Sequence, residues 1–200
     1  NIAKRDTFLV DNVGLARVIE RATSIREIED LQLPIRIVAC DLATGEEIVF
    51  CRGPLKNVLL ASAALPGVFP PIMLDGRMLV DGGVVDAVPI WHALSDDIDE
   101  IYVLNASGGG SLKNLRSPLD VMTRAFAISR NLRFDVELRN ASHNIDIHLL
   151  PRPSDKREMY DFNDSARLLD EAYKLTYAYL DENRLPRPEK KKGIWSRLTK

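Results

Sequence analysis

Residues 61–90 read ASAALPGVFPPIMLDGRMLVDGGVVDAVPI. Asp75-Gly76 stands between two short apolar runs, which predicts a tight β-hairpin. Asp81 ends the second run and is followed at once by Gly82 and Gly83. The rim of an α/β sheet is where such folds place reactive groups, and a carboxylate there can act as a general base. A second, purely structural turn is the other interpretation of the same residues.

Strands and helices alternate on both sides of this stretch, which predicts an α/β fold. Upstream, PIRIVAC at 34–40 is rich in β-branched residues and predicts a strand, followed by a turn at Thr44-Gly45 and a second strand. A helix is expected over residues 55–64. Downstream we expect a helix near Pro89, a strand at 100–106, a long helix to about residue 140, a strand at 144–150 and a last helix from about residue 163.

Capping residues predict two of the helix starts. Ser24, with Glu27 three residues later, forms a capping-box pattern and predicts a short helix. Ser117, followed by Pro118 and Asp120, has the cap, the first-position proline and the first-turn acid of another helix start. In that second helix we expect four apolar side chains to point inward: Leu119, Met122, Phe126 and Leu132.

Composition excludes several classes of protein. The chain has 200 residues, of which 46% are hydrophobic and 28% charged, as in ordinary globular domains. The net charge of −2 argues against a nucleic-acid-binding domain with a basic surface. The longest apolar stretch is interrupted by prolines before it reaches the roughly 18 residues of a membrane span. Cys40 and Cys51 lack the spacing of a metal site and indicate reduced thiols in a cytoplasmic compartment.

The end of the chain is basic. Residues 184–200 hold seven Lys or Arg against one acid, together with Ile194, Trp195 and Leu198. This composition fits a flexible tail that contacts an anionic membrane surface peripherally. A solvated charged tail is the alternative.

The stretch around Asp81 resembles the second signature block of the patatin-like phospholipase family. In that family an Ala-Ser-x-Ala-x-Pro-x-x-Phe-Pro-Pro segment leads through a hairpin to Asp-Gly-Gly, as residues 61–83 do here. LPIRIVACDLATGEE upstream and DFNDSARLLDEAYKLTYAYL downstream are also similar to the family. The resemblance implies the C-terminal portion of a three-layer α/β/α patatin-like domain over residues 1–183, with 184–200 as a tail.

The family resemblance also implies an activity. Patatin-like enzymes hydrolyse lipid acyl esters with a Ser-Asp dyad and need no cofactor or metal. By this match Asp81 is the catalytic base, and Gly82 and Gly83 shape its turn. The position of Leu65, Val68 and Phe69 in the matched block makes them candidates for an acyl-pocket wall. The implied partner is a lipid substrate, while the sequence carries no indication of oligomeric state.

The family's nucleophile is missing from these residues. No Gly-x-Ser-x-Gly occurs, and NASGG around Ser107 follows the aspartate instead of preceding it. We therefore expect the serine upstream of Asn1 and expect residues 1–200 alone to be inactive. Two alternatives stay open: a non-catalytic lipid-binding or docking module, and a Ser-His-Asp hydrolase using His148. His143, Asp146 and His148 lack a recognised metal-ligand spacing, so no metal site is predicted.

Overall fold

The structure is a computed structural model that describes residues 8–94, 98–105, 117–141, 145–153 and 165–186. The chain divides into two compact units, the first ending at Pro89 and the second beginning at Ile90. Each unit contains both helix and strand, so the fold is α/β. The three-layer arrangement and the limits of the domain over residues 1–183 stay predictions.

Over residues 8–89, the described part of the first unit, the chain forms a four-stranded antiparallel sheet with two α-helices. The strands lie side by side in the order β2-β1-β4-β3. The elements are α1 (Val13–Ala22), β1 (Ile37–Asp41), β2 (Glu47–Phe50), α2 (Leu55–Ser62), β3 (Ile72–Leu74) and β4 (Arg77–Asp81).

Two tight turns set the register of this sheet. Leu74 pairs with Arg77, so the β3–β4 hairpin has a two-residue loop, Asp75-Gly76. Both loop residues have positive φ, 51° and 75°, as a type I′ hairpin requires. Gly45, at φ 75°, turns the chain between β1 and β2. Both turns confirm the sequence prediction.

The core of the first unit lies between the sheet and α2. Every residue of β1 is buried, as expected for a central strand. Leu55 and Val58 of α2 pack with Ile37, and Ala61 packs with Ala39 and Leu79. Burying aliphatic side chains of this size contributes about 1.5–3 kcal/mol each, so these contacts hold β1 and β4 against the helix.

The predicted helix at Ser24 and Glu27 is wrong. Glu27 has extended backbone angles and forms an isolated bridge with Pro54, and only one 3-10 turn, Ile28–Asp30, follows it. The N–H of Ile28 donates to the carbonyl of Gly53 at 2.9 Å. Backbone bonding to this distant segment replaces the helical bonds that the capping box predicts.

In the residues that the structure describes, the second unit pairs two parallel strands and carries three helices. Its elements are α3 (Ile90–Ala93), β5 (Glu100–Val103), α4 (Pro118–Ala141), β6 (Asp146–Leu149) and α5 (Ser165–Glu182). The start of α4 confirms the sequence prediction. The Ser117 N–H donates to Asp120 at 2.8 Å, and the Asp120 N–H donates to Ser117 Oγ at 3.2 Å, a reciprocal capping box.

The predicted inward face of α4 is largely wrong. Met122 and Leu132 are 64% and 63% exposed, and Phe126 alone of the predicted stripe is half-buried. The Leu119 side chain lies outside the described residues. Arginines are spread around this helix, so its sequence does not single out one inward face. Of the helices that the structure describes, none is long and apolar enough to cross a membrane.

Candidate active site

Asp81 is the last residue of β4, and its backbone is held from two directions. It pairs with Ala39 of β1 in the antiparallel ladder. Its N–H donates to the carbonyl oxygen of Ala64 at 3.0 Å, in the turn that follows α2. Because both neighbours are buried, the position of the Asp81 Cα is set by the core of the first unit.

The side chain of Asp81 is oriented by the turn that follows it. Its Oδ1 accepts the N–H of Gly83 at 2.7 Å and so caps the single 3-10 turn Gly82–Val84. A backbone N–H bonded to a carboxylate is a strong, charge-assisted contact. The contact restricts the rotation of the carboxylate, which is half-buried at the end of the strand.

Gly82 is buried because the chain passes very close to β1 at this point. A Cβ on Gly82 would lie 2.4 Å from the carbonyl oxygen of Val38 and 2.7 Å from its carbonyl carbon. Real Cβ atoms do not approach backbone so closely, so only glycine fits here. The requirement is for space, since the φ of Gly82 is not in the left-handed region.

An ion-pair cluster fixes the other end of β4. Arg77 Nη1 lies 3.3 Å from Asp41 Oδ2 and 3.0 Å from Glu46 Oε2. Asp41 is buried, and its Oδ1 also accepts the Ala43 N–H at 2.9 Å. The hydrogen bond to Glu46 raises the pKa of Arg77, and the charge of Asp41 adds to the rise. The cluster ties the first residue of β4 to β1, and Asp81 is the last residue of the same strand.

Cys40 lies in β1 beside Asp41. Its thiol is buried, and this burial raises its pKa above the usual value, with the negative charge of Asp41 as a second cause. Cys51 is exposed, and the two thiols are free. The register pairs Cys40 with Glu47, so the two cysteines do not lie opposite each other.

The three residues predicted to line an acyl pocket lie in the turn that follows α2. The N–H groups of Val68 and Phe69 both donate to the carbonyl of Leu65 at 3.0 Å. Val68 is buried in the core, whereas Leu65 and Phe69 are half-buried. Leu65 directly follows Ala64, whose carbonyl holds Asp81, so this turn and the aspartate are connected through one hydrogen bond.

A surface cavity of about 390 Å³ lies elsewhere in the first unit. It is lined mainly by the segment Leu31–Arg36, together with Ile28, Glu29 and Cys51. None of the residues predicted for the site lines it. A backbone hydrogen bond from Gly53 lowers the pKa of Glu29, and the charge of Arg52 adds to this effect.

His148 belongs to the second unit. It pairs with Tyr102 in the parallel ladder, and the two rings stack with centroids 4.9 Å apart. The ring is half-buried, and its Nε2 has no hydrogen-bond partner in the part of the chain that the structure describes. Asp146, two residues before His148 in the same strand, is exposed. His143 and Ser107, which the sequence also raised, lie outside the described residues.

Three contributors to the site were missed by sequence reasoning. Ala64 and Val38 act through their backbone carbonyls, which no sequence pattern reveals. Asp86 is one of two buried acids among the described residues, and it lies just after the turn that Asp81 caps. Its place in DGGVVDAVP, ahead of a proline, is a turn signal that could have drawn attention to it.

Comparison with known proteins relates the segment that contains this site to one family. The family model described as patatin-like phospholipase matches residues 31–94, which include Ala64, Asp81, Gly82 and Asp86. Residues 31–94 are therefore similar to the patatin-like phospholipase family.

Patatin-like relatives match a longer part of the chain. An uncharacterized NTE family protein of Mycobacterium tuberculosis is 34% identical over 113 residues, which cover 52% of this chain and 31% of that protein. Patatin-like phospholipase domain-containing protein 7 of the rat is 32% identical over 85 residues, 42% of this chain and 6% of its own length. The chain thus spans about a third or less of these curated relatives.

Proposed function

We propose that the complete protein is a lipid acyl-ester hydrolase in which Asp81 is the general base of a Ser-Asp dyad. One observation carries the proposal. Within the patatin-like segment, the Asp81 carboxylate is fixed at a strand end by a 2.7 Å bond from the Gly83 N–H. An oriented carboxylate at such a position is what a serine hydroxyl needs, because the hydroxyl is a poor nucleophile without a base within hydrogen-bond reach.

The proposed reaction balances with water as the only co-reactant. The serine Oγ transfers its proton to Asp81 Oδ2 while it bonds to the ester carbonyl carbon. The C–O bond to the alcohol then breaks, and the alcohol leaves with that proton. Water next gives a proton to Asp81 and attacks the acyl carbon. The bond between that carbon and the serine Oγ then breaks, Asp81 returns the proton to Oγ, and the fatty acid is released. In this proposal the serine belongs to a Gly-x-Ser-x-Gly preceding Asn1, and residues 1–200 contain no such motif.

The acyl chain is proposed to lie against the turn that follows α2. Leu65 and Phe69 are half-buried and apolar, and both follow the residue whose carbonyl holds Asp81. Val68 is buried, so in this proposal it supports the wall without facing the ligand. Gly82 lets the chain pass close to β1, and Gly83 orients the Asp81 carboxylate through its N–H.

Fluorophosphonate labelling of the full gene product, read by intact mass, tests this function. The wild type should gain one adduct, and Asp81→Asn should gain little or none. The amide side chain of this variant still offers an Oδ1 acceptor to the Gly83 N–H, so the turn is kept while the base is lost. Asp75→Asn is the matched control, because it makes the same change at an exposed Asp-Gly turn whose positive φ suits asparagine.

The outcomes separate the enzyme from a binding module. Full labelling of Asp81→Asn would refute the role of Asp81. No adduct on a folded wild type, with detergent or lipid present, would instead favour the non-catalytic lipid-binding or docking module.

We also propose that the protein is cytoplasmic and contacts membranes peripherally through its basic tail. Residues 187–200, which carry most of the tail's charge, lie outside the described part of the chain. Co-sedimentation with phosphatidylserine vesicles, and not with phosphatidylcholine vesicles, should be lost when Lys190, Lys191 and Lys192 are changed to Ala. Equal sedimentation of that variant would refute the contact.

A further inference from the structure

Asp86 is a buried acid to which the proposed reaction gives no task. Asp86 is only 6% exposed, which is uncommon for an aspartate. The other buried acid, Asp41, is accounted for by its ion pair with Arg77. Burying a carboxylate is costly unless hydrogen bonds compensate for the lost water. The hydrogen bonds that Asp86 makes to its own segment indicate one thing that the residue does.

Those contacts join Asp86 to the turn that holds Asp81. The N–H of Asp86 donates to the carbonyl of Gly82 at 2.8 Å, and the N–H of Val85 donates to the same oxygen at 3.0 Å. The Oδ1 of Asp86 accepts the N–H of Val88 at 3.2 Å. The Asp86 side chain thus accepts the N–H of the residue two positions later in the chain. The Asp81 side chain makes the same kind of contact with Gly83.

The two aspartates form consecutive turns that share the peptide of Gly82. On one side Gly82 lies so close to the Val38 carbonyl that there is no space for a Cβ between them. On the other side its carbonyl oxygen receives two N–H groups, one of them from Asp86. If the second turn opens, Gly82 can move away from Val38, and the Gly83 N–H moves with it.

We infer that Asp86 is a positioning residue for Asp81. By closing the turn to Val88 it keeps the Gly82 peptide against β1 and so keeps the Gly83 N–H on the Asp81 carboxylate. The inference rests on the proposed function for its effect on catalysis. The acceptor oxygen of Asp86 performs the task, so a neutral side chain with the same acceptor performs it as well.

Three variants of the full gene product test the inference. Asp86→Ala removes the acceptor, Asp86→Asn keeps it, and Leu180→Ala removes buried core volume from α5 of the second unit. The rate of fluorophosphonate labelling per folded molecule should fall about 10- to 100-fold in Asp86→Ala, because small misplacements of a catalytic group have effects of that size. Asp86→Asn and Leu180→Ala should stay close to the wild type.

Hydrogen exchange of the Gly83 amide gives a readout that does not depend on activity. Exchange should become faster in Asp86→Ala, and it should stay slow in Asp86→Asn and in the wild type. A wild-type labelling rate and slow Gly83 exchange in folded Asp86→Ala would overturn the inference. The inference would also be overturned if labelling were as slow in Asp86→Asn as in Asp86→Ala. The negative charge of Asp86, and not only its acceptor oxygen, would then be needed. A wild type that never labels refutes the proposed hydrolase, and Gly83 exchange still decides the role of Asp86.

Should Asp86→Ala not fold, Asp86→Ser replaces it. The serine hydroxyl is a weaker acceptor for the same N–H, so an intermediate labelling rate and intermediate Gly83 exchange are expected. Wild-type values for both measurements in Asp86→Ser would count against the inference.

Discussion

The carbonyl oxygen of Val38 lies so close to Gly82 that a Cβ at residue 82 would approach it to 2.4 Å. The obstacle is backbone in a fully buried strand, and it cannot move aside as a flexible side chain could.

Gly82→Ala should therefore destabilise the protein by at least about 1–3 kcal/mol, the usual cost of overpacking, and should displace Asp81. Urea denaturation and fluorophosphonate labelling measure the two effects. Gly14→Ala is the matched control, because Gly14 lies in α1 with nothing within 4 Å of its added Cβ. That change should stabilise the protein by about 0.5–1 kcal/mol. Equal effects of the two substitutions would contradict the close approach of Gly82 to β1.

His148→Ala should leave the labelling rate per folded molecule unchanged, because the proposed dyad uses no histidine. The substitution also removes the ring stacked on Tyr102, so some loss of stability is expected. Tyr102→Leu breaks the same ring contact and serves as the control. If His148→Ala abolished labelling while Tyr102→Leu did not, a Ser-His-Asp triad would replace the dyad.

The raised pKa of Cys40 predicts a pH dependence of stability. The folded thiol holds its proton to higher pH than the unfolded thiol, so its contribution is fully present below the unfolded pKa of about 8.5 and is lost as pH rises above it. The free energy of unfolding, measured in urea between pH 7 and 10, should fall less steeply in Cys40→Ala than in the wild type. Tyr102 and Lys174, whose pKa values are also raised, are present in both proteins, so they do not cause a difference between the two slopes. If the free energy of unfolding fell equally steeply with pH in the two proteins, Cys40 would contribute nothing to this pH dependence.

Alkylation provides an independent check on Cys40. In the native protein iodoacetamide should modify the exposed Cys51 and spare the buried Cys40. Mass spectrometry after unfolding should show both thiols modified.

Two leucines in opposite environments should differ sharply in their effect on stability. Leu79 is fully buried between α2 and the sheet, whereas Leu132 of α4 is exposed. Leu79→Ala should cost about 2–5 kcal/mol in the free energy of unfolding. Leu132→Ala should change it by no more than about 0.5 kcal/mol. A large loss on Leu132→Ala would restore the inward-facing interpretation of α4.

Local signals in the sequence predicted those parts of the fold that local bonds determine. The Asp75-Gly76 hairpin and the Ser117–Asp120 capping box involve only residues a few positions apart, and both are present. The capping pattern at Ser24 failed because Glu27 bonds to a distant segment. The inward face of α4 failed for the related reason that packing partners, and not helical period alone, decide which side is buried.

In the candidate site, too, local sequence signals were predictable and long-range contacts were not. Asp81 and its glycines stand in a recognisable block, so the sequence alone identifies them as candidates. The backbone carbonyls that hold them, from Ala64 and Val38, come from other elements, and their chemistry is the same in every residue. The identity of a catalytic candidate is therefore readable from the sequence, while the contacts that position it require the structure.

The attachment of Asp81 to both Ala39 and Ala64 has a consequence for folding. These two contacts join segments that are far apart along the chain, and contacts of this kind form only after the intervening loops have closed. The carboxylate therefore reaches its final position late, once β1, α2 and the β3–β4 hairpin have come together. Conversely, the Asp81 amide can exchange its hydrogen only when that assembly opens. Its exchange rate in deuterated buffer should report the cooperative unfolding of the first unit.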